Sequence, residues 1–207
     1  MRLLFLIFSL LIFQPSIAEE PAKQGEFLGG KYVEVLPDWF KTTFMDFAED
    51  LEEATDENRH VMIYFHQNGC PYCAKLVEDN FHDKDLVAKL HKNFDVIETN
   101  MWGDRGLTDW KGREFTEKQF SAFMKVQFTP TIIFLNAKGD IVLRVNGYQS
   151  IDRLHAMLDY VSSKQYLKQT YARYNNSLKQ NTTGKLNSNP LFESAPHILT
   201  RSERFPA

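Results

Sequence analysis

The chain has 207 residues, is 43% hydrophobic and carries a net charge of −3, which fits one globular domain with its own core plus a tail. Charge is unevenly placed: residues 19–162 hold 25 acidic and 16 basic side chains, whereas residues 163–207 hold 7 basic and 2 acidic. An acidic body argues against nucleic acid as a partner, and the basic tail reads first as a solvated segment.

The N-terminus sets the expected compartment. Met1 and Arg2 give a positive start, Leu3 to Phe13 is apolar except for Ser9, and Ser16-Ile17-Ala18 offers a small-residue cleavage site. This pattern is that of a secretory signal, residues 1–18, cleaved after Ala18. The run is too short to span about 30 Å of hydrocarbon. No later segment is long and apolar enough to do so, and the mature chain is expected to be exported and not membrane-spanning.

Residues 19–37 are a polar leader. A domain is expected over 38–163 and a C-terminal extension over 164–207. Asp38, after Pro37, is placed to cap a helix carrying Trp39, Phe40, Phe44, Phe47 and Leu51 at helical spacing. Val61 to Phe65 is a buried-strand run. A helix should open at the cysteines, and another spans Asp83 to Lys92. Phe94 to Glu98 reads as a strand and Asn100 to Arg113 as a loop with two tryptophans. Thr116 caps a helix bearing Phe120, Phe123 and Met124. Thr131 to Leu135 and Ile141 to Val145 form a hairpin about the turn at 137–140. Ser150 caps a last helix with Leu154, Met157, Leu158 and Val161 on one face. Helix then continues to about Leu178, while 175–190 is polar enough to be disordered. The order predicts an α/β fold, a central mixed sheet flanked by helices, with a polar C-terminal extension.

Cys70 and Cys73 are the only cysteines. Three uses are open. A structural zinc site wants four ligands, and here there is one pair with His66 and His82 nearby; copper carriers also combine cysteines with a histidine. A static bridge between such close neighbours closes a short loop and removes little unfolded-state entropy. Thiol–disulfide exchange needs a strand, a short turn, then Cys-x-x-Cys opening a helix, and all three are present. Helix N-terminal amides favour an anion at Cys70, making it the nucleophile. Cys73, one turn later, can resolve the mixed disulfide. Pro71 suits the first helical turn.

Pro130 stands just before a strand, at the turn the element order brings beside the cysteines. A cis Thr129–Pro130 bond fits that turn and leaves neighbouring main chain free to pair with an extended substrate. Tyr72, between the cysteines, should be partly exposed. Trp102 and Trp110 either wall the site or anchor their own loop. His66 can tune Cys70 if its ring lies close.

"VMIYFHQNGCPYC", then "FTPT" before a strand hairpin, then "GY" and a capped last helix, resemble the thioredoxin superfamily over about residues 38–163. "HQNGCPYCAKL", "NMWGD", "TDWKGREFTEKQ" and "VQFTPTIIFLNAKGDIVLRVNGY" are similar to periplasmic SoxW-type thioredoxin-like proteins. The resemblance implies an exported thiol–disulfide oxidoreductase that reduces periplasmic protein disulfides and draws electrons from a membrane thiol reductant, in some members linked to sulfur oxidation. It carries the nucleophile to Cys70, the resolving thiol to Cys73, the redox-active disulfide to that pair and the cis-proline to Pro130. Pro71, Tyr72, Thr129 and Trp102 are the expected substrate contacts, and no cofactor or metal is expected. Two positions depart from thioredoxin. Tyr64 stands where a buried aspartate helps move the second thiol's proton, leaving Glu98 or water as acceptor, and Pro-Tyr separates the cysteines instead of Gly-Pro. Alternatives within the class are a periplasmic disulfide oxidant or isomerase and a cytochrome c maturation thioredoxin. Outside it stand a copper metallochaperone and a partner-binding module.

Overall fold

The structure, a computed structural model, describes residues 36–187. The signal segment, nearly all of the leader and the last stretch of the extension lie outside the described residues.

The chain order is α1 (Phe47–Asp56), β1 (His60–His66), α2 (Pro71–Lys75), a π turn (Leu76–Asn80), α3 (Lys84–Asn93), β2 (Phe94–Asn100), β3 (Gly106–Thr108), β4 (Glu114–Thr116), α4 (Glu117–Phe123), β5 (Thr131–Leu135), β6 (Ile141–Asn146), α5 (Ile151–Ser162), a 3-10 turn (Gln165–Leu167) and α6 (Tyr171–Asn187). The main sheet runs β2-β1-β5-β6, with β1 parallel to β2 and antiparallel to β5. It is the mixed sheet that the element order predicts. Every residue of β1 is buried, because helices cover both faces. Met62 and Tyr64 face one core with Ile132, Phe134 and the α5 side chains. Val61, Ile63 and Phe65 face the other, with Phe47, Phe120 and Ile133. The two-residue period of a strand sorts them. Among the described residues no helix is long and apolar enough to cross a membrane.

The first helix starts later than expected. Asp46, not Asp38, is the cap, accepting the N–H groups of Ala48 at 3.0 Å and Glu49 at 3.3 Å. Residues 36–46 are irregular, and the backbone turns at Met45 with φ 63°. One helical-looking apolar spacing is therefore split between two cores. Trp39 and Phe40 meet Phe81 edge-on on one side of the sheet, while Phe47 and Leu51 join the core on the other. Phe44 is left 96% exposed. Lys41 fastens this segment, bridging Asp50, Glu53 and Asp95.

The loop expected over 100–113 also contains structure. β3 pairs antiparallel with β4, and both are too short for alternation to show in sequence. Buried Asp109 accepts the N–H groups of Lys111 and Arg113 and pairs with the Arg113 guanidinium, closing the hairpin. Thr116 and Gln119 form the reciprocal capping box of α4. Phe120 and Met124 are core, but Phe123 is 45% exposed, stacked on Phe115. Ser150 occupies the cap position of α5 without a side-chain cap bond.

The helix of the extension runs to Asn187, through residues whose polarity predicts disorder. Its first turn is docked by tyrosines: Tyr171 and Tyr174 pack on Tyr160, whose hydroxyl donates to the Gln169 carbonyl at 2.7 Å. An anchored first turn removes the nucleation cost of a weak helix former.

Candidate active site

β1 ends at His66, and residues 67–69 turn the chain into α2. Gly69 makes that turn at φ 72°, a left-handed conformation glycine adopts without a Cβ clash. Cys70 is the N-cap of α2 and Pro71 is its first residue. Cys70 Sγ accepts the Cys73 N–H at 3.2 Å and the Thr129 hydroxyl at 3.3 Å, and lies 3.6 Å from the Thr129 carbonyl. Both cysteines are thiols, Cys70 being 5% exposed and Cys73 fully buried. The Cys73 side chain is the largest influence on Cys70. With the Thr129 hydroxyl and the N–H groups of Cys73 and Tyr72 it outweighs burial and brings the Cys70 pKa down to about 6. These are donors aimed at an anionic sulfur.

The Thr129–Pro130 bond is cis, as the turn chemistry predicts. The Pro130 carbonyl accepts the Gly147 N–H at 2.7 Å, and the Phe128 carbonyl accepts the Thr131 hydroxyl at 2.7 Å. The loop is thus fixed from both sides of the proline, holding Thr129 against the sulfur.

Tyr72 is 62% exposed and Trp102 37% exposed. Trp102 Nε1 donates to Gln67 Oε1 at 2.9 Å, and the Gln67 carbonyl accepts the Cys70 N–H at 3.4 Å. Trp102 is therefore placed beside the turn that leads into Cys70. Trp110 is not. It packs edge-on to Phe120 and against Gly139, where any Cβ would meet its ring, so it anchors its own loop. Phe128, 63% exposed and adjacent to Thr129, adds an aromatic that no motif singled out.

A family model described as a thioredoxin-like domain matches residues 47–162. The chain belongs to the thioredoxin-like domain family. A thioredoxin-fold protein from Helicobacter pylori is 21% identical with a TM-score of 0.51, the match covering 63% of this chain and 86% of that one. A thioredoxin from Thermus thermophilus is 24% identical over 58% of this chain and 88% of that one, at TM-score 0.45. The periplasmic thioredoxin SoxS from Paracoccus pantotrophus, in its reduced form, is 19% identical over 52% and 99%, at TM-score 0.36. No curated protein matches the sequence significantly.

Within this thioredoxin-like domain the strand position six residues before Cys70 holds Tyr64, fully buried and met edge-on by Phe40 and Phe81. Its ring stacks on His66 at 5.6 Å. An acid appears one strand away: Glu98 of β2 is the register partner of Tyr64 and shares its sheet face. Burial opposes ionisation of Glu98, but the hydrogen bond and charge of His66, with Arg105, win and lower its pKa. His66 Nε2 lies 2.8 Å from Glu98 Oε2, and Arg105 joins Glu98 at 2.5 Å to buried Glu117 at 2.6 Å. His66 thus faces Glu98, and the hydrogen bonds on Cys70 come from Thr129 and Cys73. Among the described residues no three His, Cys, Asp or Glu side chains are grouped to hold a metal ion. Gln67, Arg105 and Glu117 carry no spacing signal, since Gln67 meets Trp102 across 35 residues of chain and Glu117 meets Arg105 across 12.

Proposed function

We propose that this thioredoxin-like protein is an exported thiol–disulfide oxidoreductase of SoxW type that reduces disulfides of periplasmic proteins. The observation that carries the reading is the state of Cys70. Its sulfur takes hydrogen bonds from Thr129 and Cys73, with a pKa brought down to about 6, so the thiolate predominates at neutral pH.

The Cys70 thiolate attacks one sulfur of a substrate disulfide. That S–S bond breaks, a Cys70–substrate disulfide forms, and the departing substrate sulfur takes a proton. Cys73 then loses its proton and attacks Cys70 Sγ. The Cys70–Cys73 disulfide forms and the second substrate thiol leaves, so two electrons pass from the dithiol to the substrate. The Glu98–His66 pair, on the same sheet face as the cysteines, takes the Cys73 proton. Thr129, fixed by Pro130, lies on the sulfur, Pro71 and Tyr72 follow it in α2, and Trp102 holds Gln67 of its turn; these four residues contact the substrate. A membrane thiol reductant restores the dithiol. The secretory signal expected over residues 1–18 supports the periplasmic setting, and the SoxW-like motifs support the link to sulfur oxidation.

The test is the equilibrium reduction potential of the Cys70–Cys73 pair, titrated against defined thiol buffers. A value near roughly −270 mV, the thioredoxin range, is expected for a reductase; one near about −120 mV reverses the direction and makes the protein a disulfide donor. A pair that does not titrate removes the redox reading altogether.

A further inference from the structure

The turn between β5 and β6 borders a pocket of about 460 Å³, closed by α4, β6 and the β3–β4 loop. Its apolar part is made by Trp110, Phe123 and Ile141, the last two each 45% exposed. Lys111, Lys125 and Arg144 stand around them, with Arg113 at one edge. Arg113 is spoken for, since Asp109 pairs with it and its guanidinium lies 4.3 Å from the Phe123 ring centroid. Asp140 is the one carboxylate in the lining, and it accepts from Asn136 Nδ2 at 3.1 Å.

Lys111, Lys125 and Arg144 have no carboxylate within ion-pair distance among the described residues. Arg144 is half-buried, and its Nη2 donates to the Met124 carbonyl at 2.7 Å. Burial lowers its pKa with no acid to offset the cost. A partly desolvated cation without a counter-charge costs free energy that an anion would recover. The placement also runs against the body, where residues 19–162 hold 25 acidic and 16 basic side chains. The pocket beside Phe44 makes the contrast: Glu49 and Glu114 line it and no cation does.

We propose that this pocket binds a small organic anion with a flat apolar body, an aromatic carboxylate, its charge on Arg144 and its ring along Phe123 and Trp110. A guanidinium fork matches a carboxylate with two parallel hydrogen bonds. A concave apolar wall with a few placed polar groups, at a volume within about 300–1,000 Å³, is the ordinary form of a small-molecule site. The site is separate from the dithiol and does not depend on thiol chemistry.

The full chain, reduced, is titrated with 2-naphthoate and followed by NMR at the Trp110 indole and the Arg144 guanidinium. 2-Naphthylmethanol, the same ring without charge, is the control. Saturable shifts centred on those two groups are expected. Affinity should fall about tenfold in Arg144→Gln and similarly for the neutral control, the loss of one charge-assisted contact. Phe123→Leu, at an exposed ring that leaves the core intact, should also weaken binding. A titration that does not saturate, shifts centred elsewhere, or an affinity unchanged in both variants overturns the site.

Discussion

Thr129 Oγ1 donates a hydrogen bond to Cys70 Sγ across 3.3 Å, joining residues 59 positions apart in the chain. The contact couples the cis-proline turn to Cys70, so the residue before Pro130 bears on the chemistry of the sulfur that we propose as the nucleophile. Thr129→Val keeps the shape and removes the donor. A hydrogen bond to a charged group is worth about 1.5–3 kcal/mol, so the Cys70 pKa should rise by about one to two units. The pH titration of thiolate ultraviolet absorbance reads it directly, and an unmoved midpoint would show that the hydroxyl does not hold the anion.

The same anion ties the stability of the reduced protein to pH. The Cys70 pKa is depressed on folding, from 9.0 to about 6. The folded thiolate therefore contributes stability in full above the unfolded value of 9.0, and loses it as pH falls through the folded value of about 6. Between those limits the unfolded chain binds more protons, and stability should rise with pH, by at most roughly 4 kcal/mol in all. Urea unfolding of the reduced protein across this window, beside Cys70→Ser, isolates the contribution. A Cys70→Ser profile parallel to that of the parent chain would contradict it.

The elements with a strong local pattern are legible from sequence: the buried run of β1, the cap at Thr116, and the strand–turn–Cys-x-x-Cys order. The dithiol and its cis-proline partner were readable for the same reason, since each is a short motif with a local mechanism. Asp38 misled because Trp39 to Leu51 keeps one helical spacing while its side chains serve two cores on opposite sides of a sheet, a tertiary fact no periodicity records. β3 and β4 have three residues each, below the length at which alternation is visible. Arg105 and Gln67 act through contacts made only when distant segments meet.

Arg105 is the hinge of one such contact, bridging Glu98 and Glu117. The Glu117 side chain is 2% exposed, so deleting its cation leaves a buried charge uncompensated. Arg105 itself is 49% exposed, and solvent screening discounts the loss to about 2 kcal/mol. Arg105→Ala should lower the urea midpoint accordingly, and adding Glu117→Gln should recover much of it. A double variant no more stable than Arg105→Ala would mean that the pair is not coupled.

His60 makes a second pH-dependent joint. Its Nε2 lies 3.2 Å from the Tyr166 hydroxyl, linking β1 to the turn that leads into α6. Burial, then the charge of Lys164, lowers its pKa from 6.5 to about 4. Here the neutral form is the one favoured by folding, so its contribution is complete above 6.5 and is lost as pH falls toward about 4. The expected loss is roughly 3 kcal/mol over that window. His60→Gln should flatten the acid limb of the stability curve. A limb unchanged in that variant would assign the acid sensitivity to other groups.

The division of labour between the two cysteines is open to a direct test. Cys70 is 5% exposed and carries the hydrogen bonds that favour its thiolate, whereas Cys73 is wholly buried. An incoming disulfide can reach only the first sulfur, and release then depends on the second. Removing Cys73 should leave attack intact and stop resolution. Cys73→Ala, expressed with its signal, should therefore accumulate mixed disulfides that disappear on adding a strong reductant. Cys70→Ala should accumulate none, because its remaining thiol is out of reach. The two variants differ in which sulfur remains, so equal trapping by both would refute the assignment of nucleophile and resolving thiol. Trapping by neither would remove the exchange mechanism itself.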